Sequence, residues 1–185
     1  VPCMMTRADT NNREISLKET SLVSMFKKHG FTTYWIDVQG ATSSSFDSPI
    51  ANIMNESDFT VTMNNDAIFE PVKDEDAFPY IDNFLNTQKG KKTLLVVHSF
   101  GNHWPFDKRY EDEHRVFKPI CGETTPFLGM ATLASDMAEC DRQALINEYD
   151  NAILYTDYYL DKLMKRVEDR NAIVMYSSDH GQSLG

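Results

Sequence analysis

Positive charge is scarce in this chain: 18 lysines and arginines face 28 aspartates and glutamates in 185 residues, a formal charge of -10. That balance excludes a nucleic-acid backbone as partner of the surface as a whole, because phosphate binding needs basic side chains that displace counterions. Long apolar runs are missing too. No stretch approaches the ~20 residues that span a bilayer, and no charged-then-apolar leader opens the chain. Cysteine is sparse: Cys3, Cys121 and Cys140 are too few for a disulfide scaffold and lack the C-x-x-C spacing of a zinc knuckle. Cys121 and Cys140 flank a loop-like segment and can be bridged in an oxidising compartment, which leaves Cys3 odd; three reduced thiols fit the composition equally. No P-loop, G-x-G-x-x-G or G-x-S-x-G occurs, which removes nucleotide-cradling and serine-hydrolase chemistry.

What remains is an alternation of helix-like and strand-like stretches in a length suited to one domain, residues 1–185. Leu17, Leu22, Val23 and Phe26 recur at helical spacing between Ser16 and His29, with Gly30 as the stop. Phe31–Val38 is rich in β-branched and aromatic residues and predicts a strand, as does Phe59–Met63. Gly40 to Ser45 reads as a loop and Pro49 to Asn55 as a short helix. Ala77 to Thr87 places Phe78, Ile81, Phe84 and Leu85 on one helical face. Thr93–His98 is nearly all apolar, the pattern of a strand covered on both faces. Residues 99–140 break the rhythm with a long irregular insertion, which in a compact domain is more often functional than idle. Asp141 to Asp169 is the longest helical pattern, and Ala172–Tyr176 predicts a last strand. The fold class expected is therefore α/β, a mainly parallel sheet with helices on both faces.

Chemistry concentrates after two of the expected strands. Asp179-His180 follows Ala172–Tyr176, and Gly181 offers a backbone able to turn away from the strand. Carboxylate oxygen and imidazole nitrogen are both ordinary zinc donors, so the pair predicts half of a metal site; the plainer alternative is a turn carboxylate beside a packed imidazole. His98 to Pro105 follows the buried strand Thr93–His98 and should project from the same sheet edge. Within it His103 is the functional candidate, past a glycine in the loop, whereas His98 at the strand end reads as a core histidine. His29 and His114 lie in polar contexts and receive no role. Glu148, Asp150, Asn151, Asp157 and Asp161 suggest a carboxylate cluster, yet no histidine joins them on the helix. Asp150, Asp157 and Asp161 share a side of the helix, and a solvated or capping face is the expectation for them.

Three segments in order, Gly101-Asn102-His103, Tyr149-Asp150-Asn151-Ala152-Ile153-Leu154-Tyr155-Thr156-Asp157 and Ser178-Asp179-His180-Gly181, resemble the phosphoethanolamine transferases of the sulfatase and alkaline phosphatase superfamily. Val1-Pro2-Cys3-Met4 is similar to the stretch downstream of that family's nucleophilic threonine. Order and spacing cover nearly the whole chain. A sulfatase would need C-x-P-S-R or S-x-P-S-R at its nucleophile, and Pro2 is followed by Cys3-Met4. A phosphoglycerol transferase and a non-catalytic domain that keeps the fold are the other readings.

The resemblance implies an alkaline phosphatase/sulfatase-like catalytic domain truncated at both ends, with membrane helices and the threonine upstream of Val1. It implies zinc as cofactor, with Asp179 and His180 as metal ligands, and His103 and Gln182 at the substrate. It implies a phospholipid donor, a lipid A or related glycan acceptor, the periplasmic face of a bacterial inner membrane and no nucleic acid. This segment alone would be inactive. Cys3 matches a cysteine bridged near the nucleophile, and Cys121 with Cys140 matches a second bridge. Gln182 stands where the family has glutamate, and Asn102 where serine is common.

Overall fold

A computed structural model of the chain describes residues 2–9, 11–40, 49–63, 72–121, 140–182 and 184. The loop expected from Gly40 to Ser45 lies, beyond Gly40, outside these residues, as does 122–139 of the irregular insertion. The chain divides into two compact units, Val1–Ser99 and Phe100–Gly185.

The first unit is built on three parallel strands, β1 (Thr32–Asp37), β2 (Phe59–Thr62) and β3 (Thr93–His98), in the order β2-β1-β3. Register pairs Trp35 with Thr60 and Val96, and Asp37 with Thr62 and His98. Side chains alternate across the sheet, so each face has its own cover. The chain opens on the short helix α1 (Pro2–Met5). On one face of the sheet Trp35, 1% exposed, packs with Val23 of α2 (Leu22–Lys28) and with Ile53 and Met54 of α3 (Pro49–Asn55). On the other, Tyr34 meets Phe84 of α4 (Phe78–Thr87) edge-on at 4.5 Å and stacks on Phe59. This is the expected parallel α/β sheet with helices on both faces.

Local chemistry explains where the elements differ from their sequence patterns. The helix expected from Ser16 begins at Leu22, because Ser21 adopts an extended backbone and its hydroxyl caps the Ser24 N–H. Arg13–Leu17 forms a separate 3-10 turn. Pro79 does not break α4, since it occupies the helix's first turn, where no amide donor is needed. β3 is half-buried along its length rather than covered, because it is an edge of the described sheet.

The second unit is organised by α5 (Arg142–Val167), N-capped by the Asp141 carboxylate on the amides of Gln143 and Ala144. Leu145, Ala152 and Tyr155 of this helix bury against Phe106 and Tyr110. The Cys121–Cys140 disulfide, with Cα atoms 5.3 Å apart, ties the loop before α5 to its N-terminus, and Cys3 is free and exposed. The oxidised alternative is thus the one formed.

The expected final strand is not present. Ala172–Tyr176 is irregular, and Ile173 and Met175 are each 93% exposed. Among the described residues of this unit no other segment is a strand, so a run with strand propensity has no edge to pair with. Propensity describes fit to a pleated, half-buried surface and does not create the neighbouring strand.

Candidate metal and transfer site

Asp179 and His180 are exposed, with Asp179 Oδ1 3.7 Å from His180 Nε2. The His180 ring donates from Nδ1 to the Gly181 carbonyl at 2.9 Å. A carbonyl can only accept, so this bond places the proton on Nδ1 and leaves the Nε2 lone pair facing the aspartate side, the arrangement a metal-binding histidine needs. Two donors on a tetrahedral zinc at about 2.0 Å would be roughly 3.3 Å apart, close to the separation found. Donor types, tautomer and spacing therefore fit zinc. Among the described residues no third histidine, cysteine, aspartate or glutamate completes a cluster.

The segment that carries the pair is held at its end. Leu184 packs against the Phe106–Tyr155 core, and Gln182 beside it is half-buried. Gly181 does not serve as a left-handed pivot: it has no positive φ, and a Cβ there would meet nothing within 4 Å. That role belongs to Gly101, at φ +57, in the turn closed by the His103 N–H on the Phe100 carbonyl at 3.3 Å. His103 is exposed, stands edge-on to Phe100, and donates from Nδ1 to the Trp104 carbonyl at 2.6 Å. Its Nε2 is thereby also the unprotonated nitrogen. Arg109, 3% exposed, stacks 3.8 Å over the Phe100 ring, which stiffens this turn from below.

Three features were missed or misjudged at the sequence level. His114 is buried, not in a polar surface context, with its ring against Tyr155 and Tyr158. Asp157 and Asp161 are solvated as expected, and Asp161 pairs with Lys165. Glu148 and Asn151, however, are buried with Asn147 and clamp a loop. Asn151 accepts from the amides of Val116 and Phe117 and donates to the Phe117 carbonyl; Asn147 donates to the Pro119 carbonyl; Glu148 accepts from the Cys121 amide. The signal was the i, i+4 spacing of Asn147 and Asn151 on the face of Ala144, Ala152 and Tyr155. Burial pushes the Glu148 carboxyl up to about 7, with the nearby Asp107 adding to the rise. The third feature is a pair at the carboxyl ends of β1 and β3, Asp37 and His98, whose Oδ1 and Nδ1 lie 2.8 Å apart.

A parallel sheet with a histidine at a strand's carboxyl end, and an Asp-His pair whose donor types suit zinc, define an α/β domain of the class that builds sites at strand ends. The chain matches the Sulfatase family model over residues 1–185, and it belongs to that family. It is 26% identical to phosphatidylethanolamine transferase Mcr-2 of Escherichia coli over 194 residues, covering 100% of this chain and 34% of that protein. It is 36% identical over 115 residues to phosphoethanolamine transferase EptA of Helicobacter pylori, covering 60% of this chain and 20% of EptA. The C-terminal periplasmic domain of phosphoethanolamine transferase EptC from Campylobacter jejuni superposes with a TM-score of 0.68 at 25% identity, covering 91% of this chain and 47% of that one. The corresponding Escherichia coli EptC domain in complex with Zn shares the fold, with a TM-score of 0.69 at 24% identity over 89% of this chain and 43% of that one. The chain thus spans about a third or less of the curated relatives it matches.

Proposed function

We propose that the protein carrying this chain is a zinc-dependent phosphoethanolamine transferase. It moves the head group from a phospholipid to lipid A or a related glycan through a threonine intermediate. The observation that carries this reading is the Asp179–His180 pair, 3.7 Å apart with its Nε2 bare, in a chain of the sulfatase family whose relatives are phosphoethanolamine transferases. Both units are read as parts of one catalytic domain, in keeping with a family match from 1 to 185.

Asp179 and His180 would hold the zinc, which supplies Lewis-acid stabilisation of charge on the phosphoryl oxygens and lowers the pKa of the threonine hydroxyl. Residues of this chain supply the rest. His103 offers a nitrogen lone pair, or a donor once protonated, to the transferred phosphoryl group from a turn stiffened by Phe100 and Arg109. Gln182 is uncharged and offers an amide dipole rather than a carboxylate to the ammonium or phosphate of the head group. Among the described residues no helix is long and apolar enough to cross a membrane. Residence at the periplasmic face of an inner membrane is supported by the EptC domains, described as C-terminal and periplasmic, and by a Neisseria meningitidis EptA described as an integral membrane protein.

The test is made on the full-length protein. Elemental analysis should find zinc in the wild type and a loss of at least tenfold in metal affinity in Asp179→Ala and His180→Ala, and intact mass after incubation with phosphatidylethanolamine should show the head group on a threonine. A wild-type protein with neither bound zinc nor a modified threonine would overturn the reading.

A further inference from the structure

Within the second unit, the loop that runs along α5 exposes two large apolar side chains side by side. Val116 is 60% exposed and Phe117 43%, and the exposed Lys118 and Pro119 follow them. The backbone that carries them is fastened to the helix. The Val116 and Phe117 amides both donate to the side-chain oxygen of Asn151 at 2.9 Å, the Asn151 side-chain nitrogen donates to the Phe117 carbonyl at 3.0 Å, and the Asn147 side chain donates to the Pro119 carbonyl at 2.8 Å. The Val116 amide also donates to the His114 carbonyl at 3.0 Å, and Pro119 has no amide hydrogen. Asn151 itself is fully buried. These backbone groups are thus taken up by the protein, while the apolar side chains beside them are left outside. An ordinary surface loop does the opposite and leaves its backbone groups to water.

We infer that Val116 and Phe117 form a docking point for the surface of a phospholipid bilayer, with Lys118 set against lipid phosphate. Three observations favour lipid over a protein partner. Entry into an apolar phase requires backbone polar groups to be satisfied within the protein, and the Asn147 and Asn151 side chains do this for the loop. The charge is complementary: Lys118 has no ion pair among the described residues, whereas Arg115 is held by Asp112 at 3.0 Å and Lys108 by Asp107 at 2.9 Å. A lysine beside an apolar pair matches a phosphate layer lying over hydrocarbon, because its stem covers apolar surface while the ammonium stays among the head groups. The patch is also small. Two side chains offer far less than the ~800 Å² per partner of a stable protein interface, whereas membrane affinity grows with each apolar side chain inserted. The inference rests on the membrane residence proposed above and not on the transfer chemistry.

The experiment replaces Phe117 by the photoreactive p-benzoylphenylalanine in the full-length protein, in the presence of nanodiscs of phosphatidylethanolamine and phosphatidylglycerol. After irradiation, mass spectrometry sorts the adducts into lipid and peptide. The same replacement at Asp157, on the solvated face of α5, is the control, and both replaced side chains are exposed, so neither disturbs the core. Lipid adducts at 117 should exceed those at 157 by at least about tenfold. Lys118→Glu should lower the lipid yield at 117 by about twofold or more, and an unchanged yield overturns the phosphate contact. Equal lipid yields at the two positions, or adducts at 117 mainly to peptide of the same molecule or of a second copy, overturn the docking point. Wild-type protein that fails to float with vesicles of the same lipids removes the membrane residence itself. Protein that floats while its probe at 117 labels peptide leaves that residence standing and removes the docking point alone.

Discussion

Glu148 is 3% exposed and accepts the Cys121 amide, with Asp107, Lys108 and Arg115 as its charged neighbours. Its carboxyl is raised from 4.5 to about 7, so the folded protein binds a proton that the unfolded chain has already released between those values. Stability from this group is therefore full below about pH 4.5 and declines as pH rises towards 7. Glu148→Gln keeps an acceptor for the Cys121 amide and removes the charge. It should stabilise the second unit at pH 8 by on the order of 2–3 kcal/mol and leave it nearly unchanged at pH 4. Urea midpoints at the two pH values decide the matter, and a variant less stable than wild type at pH 8 would show that the ionised carboxylate is favourable. Burial likewise pushes the Tyr110 hydroxyl up to about 12, so it stays neutral throughout this range.

At the scale of elements, α5 works as a template on which an irregular loop is laid. Asn147, Glu148 and Asn151 provide one turn of polar side chains that holds backbone groups of Val116, Phe117, Pro119 and Cys121 in a segment that is not a strand. Asn151→Ala leaves the Phe117 amide and carbonyl without the Asn151 partner and the Val116 amide with the His114 carbonyl alone, and should cost about 1–2 kcal/mol, softened by the exposure of Val116 and Phe117. Asp157→Ala, on the solvated face of the same helix, should change stability by less than about 0.5 kcal/mol in the same urea titration. Equal effects for the two would mean that the clamp contributes nothing. The ends of the elements follow the same logic: Ser21 and Asp141 start helices because their side-chain oxygens take the first free amides. Both caps are visible in sequence only as one of several serines and aspartates, since a cap is selected by the backbone turn before it.

At the scale of the molecule, the disulfide and the family relation carry the consequences. Cys121 and Cys140 close a loop of sequence separation 19, and its reduction should lower the unfolding free energy by about 3 kcal/mol. A thermal melt with and without dithiothreitol reads this, and coincident melts would remove any stabilising role for the bridge. Much of the architecture was legible beforehand for a simple reason: periodicity and β-branching act within ten residues, so β1, β3, α3 and the span of α5 follow from local pattern. The Asp179–His180 pair was legible for the same reason, being adjacent in the chain. Contacts between distant residues were not. Asp37 meets His98 only because two strands align in parallel register, Glu148 is buried only because a loop folds over its helix, and Ala172–Tyr176 is irregular rather than a strand. Composition and local spacing, which are properties of one stretch of chain, thus dictated the α/β class and the candidate ligands. Which histidine is held by a carboxylate, which glutamate keeps its proton and which thiols are bridged depend on encounters across 19 to 61 residues, and those exist only once the chain is folded.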